Sequence, residues 1–211
     1  TYKQNQSLKT QVADLSSTKN NQESLEVENK ELKEALKLQE TLTDYKSISA
    51  NVITRNPASW ADTLVIDSGS KQGIKNRQLV MANGGVIGRV SQVNENSSKV
   101  SLLSSDKGID AKIPVRLGSP SDPVNGLLAS YDEDQNAYVV TSLVGEGNIE
   151  KGSQVVTSGL GGDSPRGLLL GTVIDVKETD QGLNRKVYVK PASNLYDIRF
   201  VFVIQGMIGG N

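Results

Sequence analysis

The chain has 211 residues, with 23 Lys and Arg against 24 Asp and Glu, no His and no Cys. This composition excludes a Ser-His-Asp triad, thiol nucleophiles, disulfides, and imidazole or thiolate metal sites. A net charge of −1 gives no global field for nucleic acid, aromatics at 4% offer few stacking platforms, and no apolar run reaches the ~20 residues of a membrane span.

Residues 1–46 contain no Gly and no Pro and are rich in Lys, Glu, Gln and Leu, all good helix formers. Leu8, Val12 and Leu15 keep the 4-then-3 spacing of a coiled-coil seam, and so do Leu25, Asn29, Leu32 and Leu36. Leu15 and Leu25 are ten residues apart, three more than a heptad, which overwinds the seam locally. Asn29 takes an a-type position, where paired amides favour a parallel two-stranded coil. At 1.5 Å per residue the helix would reach ~65–70 Å, longer than the domain behind it. So narrow a stripe predicts a partner helix, most simply a second copy of the chain, rather than packing on its own domain. The first residues already lie inside this helical pattern, without Met or a signal pattern, so an upstream segment is expected.

From about residue 50 the pattern becomes β. Short Val/Ile/Leu runs between turn residues predict strands near 50–55, 63–67, 78–82, 85–93, 99–104 and 110–116. Six more follow near 125–130, 137–143, 154–158, 168–177, 186–190 and 199–204. Spacing of about ten residues with no helical pattern between them predicts barrels or a sandwich.

A repeat sharpens this expectation. GSKQGIKNRQLVM (69–81) matches GEGNIEKGSQVVT (145–157), with Leu79-Val80 set against Val155-Val156. GVIGRVSQV (85–93) matches LLLGTVIDV (168–176), which sets Gly88 against Gly171. A mid-strand glycine recurring at one place points to a bend closing a barrel or to close approach of a neighbouring strand. Gly159, Gly161 and Gly162 read as positive-φ turn positions. The fold class is therefore mainly β: an N-terminal coiled-coil helix followed by two small six-stranded barrels. The expected domains are a dimerisation helix at 1–47, a first barrel at 48–118, a second at 119–205 and a frayed end at 206–211. The linker is placed in GSPSDPVNG.

Candidate chemistry is thin. Gly162-Asp163-Ser164 resembles the nucleophile turn of trypsin-like proteases, and Lys151 or Arg166 remain formal bases. Pro165 follows the serine, however, and contributes no N–H to an oxyanion site. The glycine-rich stretches do not match a P-loop and precede no helix. Asp132-Glu133-Asp134 is a candidate for a hard cation but reads as a solvated turn, and Asn96-Ser97-Ser98 matches a glycosylation pattern that is common by chance. Trp60 is read as a partly buried anchor holding the helix end against the first barrel. No catalytic residue, cofactor or metal is assigned.

The order of segments is a Leu/Glu/Asn/Lys-rich coil, VITRNPASW, LVIDSGSKQGI, GGVIGRVSQVNENSSKVSLLS and QVVTSGLGGDSPRGLLLGTVIDV. It resembles the MreC family of rod-shape-determining proteins over nearly the whole chain, and the TSGLGG-x-x-P-x-G-x-x-x-G-x-V stretch is the most specific part. The resemblance implies a single-pass membrane protein whose anchor precedes residue 1 and whose body lies outside the cytoplasmic membrane. It implies parallel homodimers through the coil, two barrels like those of trypsin without protease activity, and self-association into filaments. It also implies a scaffold role in cell-wall elongation with penicillin-binding proteins and the MreD/MreB machinery as partners. Two alternatives remain: a hydrolase using Ser164, and an export-pump adaptor. The latter is disfavoured because such adaptors carry a helical hairpin between β segments, and here one helix stands at the N-terminus.

Overall fold

A computed structural model describes residues 2–41, 45–107, 112–160, 164–179 and 184–207. Helix α1 spans Tyr2–Thr41. The strands are β1 (Tyr45–Thr54), β2 (Thr63–Ile66), β3 (Leu79–Ala82), β4 (Gly85–Val93), β5 (Ser98–Leu102) and β6 (Ile113–Ser119). They continue as β7 (Asp122–Asp132), β8 (Ala137–Val144), β9 (Gln154–Thr157), β10 (Leu169–Thr179), β11 (Asn184–Pro191) and β12 (Phe200–Met207).

These strands close two antiparallel six-stranded barrels, ordered β1-β12-β3-β4-β5-β2 and β10-β11-β8-β7-β6-β9. Started from β3 and β9, the two rings read β3-β4-β5-β2-β1-β12 and β9-β10-β11-β8-β7-β6. The topology is identical if β12 stands where β6 stands. Each barrel therefore consists of five consecutive strands and a sixth taken from beyond them: β6 precedes its five, and β12 follows its five after the whole second barrel. This corrects the expected division at 118/119, which falls inside the β6–β7 hairpin, where Gly118 pairs with Pro123 and Ser119 with Asp122. The Pro/Ser/Gly-rich stretch taken for a linker is that hairpin turn, and the second barrel begins at Ile113. The first barrel ends with β12, which carries residues 206 and 207 that were assigned to a frayed end; residues 208–211 lie outside the described residues.

The repeat extends to backbone detail. Arg77 N donates to Val90 O and Val90 N to Gln78 O; Gly152 N donates to Val173 O and Val173 N to Ser153 O. Both β4 and β10 carry a bulge just past these valines, after which Gln92 faces Lys99 and Asp175 faces Tyr188. The register pairs Val80 with Gly88 and Val155 with Gly171. Val80 is thus the counterpart of Val155, one residue away from the alignment of apolar pairs read in the sequence.

The two matched glycines have the same surroundings. A Cβ on Gly88 would lie 2.3 Å from Ser101 O on β5, and one on Gly171 would lie 1.9 Å from Lys190 O on β11. In the β3–β4 turn, Asn83 (φ 47°) and Gly84 (φ 90°) are both left-handed, the combination that a two-residue type I′ hairpin requires. One continuous apolar core runs through both barrels, from Leu64, Ile66 and Ile87 to Ile113, Leu128 and Leu170. Each such fully buried side chain contributes roughly 1.5–3 kcal/mol.

Candidate functional site

Three places were candidates: the helix stripe, the turn holding Ser164, and the junction between the barrels.

On α1, Leu8, Val12, Leu15 and Leu25 are 59–69% exposed and Leu32 is 45% exposed. Asn29 is exposed as well. The side chain of Leu36 lies outside the described residues. The helix meets the first barrel through other positions. Glu31 Oε1 lies 3.3 Å from Arg199 Nε, and Val27, Lys30 and Glu31 line a cleft of about 430 Å³ with Asn83, Phe200 and Phe202. In the heptad that places Asn29 at a, these three helix residues fall at f, b and c, opposite the a/d seam. At residues 27–31 the helix thus turns its b, c and f positions toward the barrel, while Leu25, Asn29 and Leu32 remain exposed.

Ser164 is buried, and its Oγ accepts a hydrogen bond from Arg89 Nη2 at 3.2 Å. A guanidinium does not give up its proton in a protein, so this contact cannot activate the hydroxyl. Lys151 is drawn instead to Asp175, at 3.6 Å. The segment following Ser164 is tied down by Thr157, whose hydroxyl donates to Pro165 O, and by Tyr45, whose hydroxyl donates to Arg166 O. Gly159 is left-handed at φ 74°; Gly161 and Gly162 lie outside the described residues. The acidic turn also has local work: Asp132 accepts from the backbone and side-chain nitrogens of Gln135. Among the described residues no group of carboxylates is placed to hold a metal ion.

The barrels meet along β4 and β10. Tyr138, fully buried in the second barrel, donates to Val86 O in the first at 3.3 Å. Burial drives its phenol far above the ordinary range, so it remains a donor. At one end of the junction Arg55 stacks over Trp60, 4.3 Å from the ring centroid, and its guanidinium donates to Leu195 O and Tyr196 O. Trp60 Nε1 donates to Tyr196 O at 3.3 Å. Trp60 thus anchors the connection between β11 and β12; the side chains at the helix end, against which it was expected to pack, lie outside the described residues. Trp60 and Tyr196 remain 40% and 65% exposed, beside a cleft of about 320 Å³ that also touches Tyr131 and Glu133. Sequence reasoning missed this cluster because Trp60 and Tyr196 are 136 residues apart and belong to no shared motif.

A family model described as the barrel core of the rod shape-determining protein MreC matches residues 52–205, most of both barrels. The chain belongs to the MreC family. It is 34% identical over 205 residues to the cell shape-determining protein MreC of Listeria monocytogenes, covering 97% of this chain and 69% of that protein. It is 33% identical to MreC of Streptococcus pneumoniae, covering 94% of this chain and 79% of that protein. The Listeria MreC structure superposes with a TM-score of 0.72 at 33% identity, over 95% of each chain. The major periplasmic domain of the cell shape-determining filament MreC superposes with a TM-score of 0.69 at 31% identity, covering 76% of this chain and 96% of that one. A Helicobacter pylori MreC, solved in complex with the penicillin-binding protein PBP2, shares the fold at 16% identity and a TM-score of 0.54, over 76% of this chain and 99% of that one. The two closed barrels of this chain are the family's architecture. Among the described residues no helix is long and apolar enough to cross a membrane.

Proposed function

We propose that this chain is a dimeric, non-enzymatic scaffold of the cell-elongation machinery, held at the outer face of the cytoplasmic membrane. In this reading two copies zip through Leu8, Val12, Leu15, Leu25, Asn29, Leu32 and Leu36. The paired barrels then present surface to penicillin-binding proteins and, through the membrane, to MreD and MreB; lateral contacts between dimers would build filaments. The observation that carries the reading is the orientation of α1, whose barrel-facing residues lie opposite its seam. An exposed leucine stripe of this length is poorly tolerated by a lone helix in water and is covered by a matching one. The PBP2 complex of the H. pylori relative supports a wall synthase as partner, and the exposed Trp60–Tyr196 cluster is suited to receive one, since aromatic anchors dominate binding energy at interfaces.

Sedimentation equilibrium tests the dimer. Wild type should sediment as a dimer and Leu25→Asp/Leu32→Asp as a monomer with unchanged barrel circular dichroism. A wild type that stays monomeric at high concentration removes the coil from the proposal. Photo-crosslinkers at positions 60 and 196 in cells test the partner and should capture a penicillin-binding protein. The hydrolase alternative requires Ser164-dependent labelling by a fluorophosphonate, and the guanidinium on its hydroxyl argues that none will occur.

A further inference from the structure

The chain has one Trp, six Tyr and two Phe, and three of these nine aromatics line a single cleft. Trp60, Tyr131 and Tyr196 wall the space of about 320 Å³ at one end of the barrel junction. Trp60 and Tyr196 are also the exposed aromatics among the described residues. The walls are ordered from within. Arg55 stacks on one face of the indole and donates to the carbonyls of Trp60, Leu195 and Tyr196. The hydroxyls of Tyr131 and Tyr196 both donate to Asn136 Oδ1, at 3.5 and 3.3 Å. An occupant therefore meets rings already held in place, and little is lost to ordering them.

Three things are left for an occupant to use: aromatic surface, the Nδ2 donors of Asn136, and the carboxylate of Glu133. Glu133 is exposed, and among the described residues no lysine or arginine pairs with it. It stands in the acidic turn Asp132-Glu133-Asp134. The charge of this turn reaches the wall: burial raises the Tyr131 phenol above its ordinary range, and Tyr196, Glu133 and Asp132 raise it further.

These features select among ligands. A polyproline II segment makes no hydrogen bonds within itself, so its carbonyls seek donors, and its stiff prolyl rings lie against aromatic walls at low entropic cost. A docked helix would satisfy its own carbonyls and leave the Asn136 amide unused. An anionic polymer would be repelled by the acidic turn, and a neutral glycan would stack but bring no counter-charge to Glu133.

We infer that this cleft takes a proline-rich, extended segment of a partner protein that carries a basic residue. Its prolyl rings pack on Trp60 and Tyr196, a backbone carbonyl accepts from Asn136, and its cation pairs with Glu133. The inference rests on the partner surface proposed above and adds the chemistry of what docks there.

Trp60 is the chain's single tryptophan, so its emission reads the cleft directly. The 211-residue chain is titrated with an oligoproline bearing a terminal arginine, the same oligoproline bearing glutamate instead, a glycine-serine peptide bearing the arginine, and a chitin oligomer. The arginine oligoproline should shift the emission to the blue and saturate. The glutamate version should bind roughly two- to fivefold more weakly, the scale of one exposed ion pair, and Glu133→Gln should abolish that preference. Tyr196→Ala should weaken binding by about tenfold or more. It removes an exposed side chain and keeps the carbonyl that Arg55 and Trp60 use, so it should melt with wild type, which separates lost binding from lost folding. No saturable shift with the arginine oligoproline, equal binding of the glycine-serine peptide, saturation by the chitin oligomer instead, or binding unchanged in Tyr196→Ala overturns the inference. So does a preference for arginine that survives Glu133→Gln. Capture of a penicillin-binding protein at positions 60 and 196 without oligoproline binding keeps the partner surface and overturns this inference. Oligoproline binding without that capture keeps the inference and removes the wall synthase as the source of the segment.

Discussion

A methyl group on residue 171 would lie 1.9 Å from Lys190 O, and one on residue 88 would lie 2.3 Å from Ser101 O. In both cases the obstacle is backbone held in a ladder, so neither strand can give way cheaply. Gly88→Ala and Gly171→Ala should each destabilise the chain by about 1–3 kcal/mol, with position 171 the worse, as read by urea unfolding. Gly84→Ala is a useful contrast. Its Cβ would meet open space, and only the left-handed backbone at φ 90° resists it, at a cost of about 1 kcal/mol. Charge at the residue scale gives a pH prediction. Lys107, and then the Ser105 hydroxyl, hold the Asp62 carboxyl below the ordinary carboxylate range. Asp62 therefore adds stability above its unfolded-state pKa, near 4, and loses it as pH falls through its lower folded value. Asp62→Asn should flatten the acid side of the urea-midpoint profile and also remove the stability that wild type loses at high pH, since Asp62 is what raises the Lys107 pKa.

At the level of elements, α1 is the place where a single polar residue directs assembly. Asn29 is exposed at an a position between leucines, so Asn29→Val should tighten association and loosen the choice between two and three strands, measurable as a heavier or mixed species in sedimentation. The strands were largely readable from the chain. Each run of Val, Ile and Leu between turn residues became one strand of the two barrels, because a half-buried strand writes its pleat as alternation. The barrel boundary was not readable. GSPSDPVNG carries the same Pro, Ser and Gly whether it joins two domains or turns one hairpin, and local pattern does not say which sheet a strand joins. The one-residue slip in the repeat has a related cause. Leu79 and Val80 are both buried, so alternation could not fix which of them matches Val155. The seam residues of α1 were legible as heptads, while the Trp60–Tyr196 cluster arises only when distant segments meet.

For the whole molecule, the return of β12 to the first barrel, after the unbroken run β6–β11 has built the second, makes the barrels one folding unit. The apolar core is continuous across them, and Tyr138 bonds one barrel to the other. Thermal unfolding followed by far-ultraviolet and near-ultraviolet dichroism should give one coincident transition for the barrels, and fragments cut at 118/119 should not fold separately. Two separated transitions would show that the barrels are independent despite the continuous core and the late return of β12.

The placement of β12 also has a consequence in time. On a ribosome, the first five strands of the first barrel emerge about a hundred residues ahead of the strand that closes it. At bacterial elongation rates this leaves β1 and β3 with bare edges for roughly 5–20 s, long enough for an unpaired edge to recruit a neighbour. A nascent chain of this protein therefore needs shelter, from a chaperone or a translocation channel, until its final segment arrives.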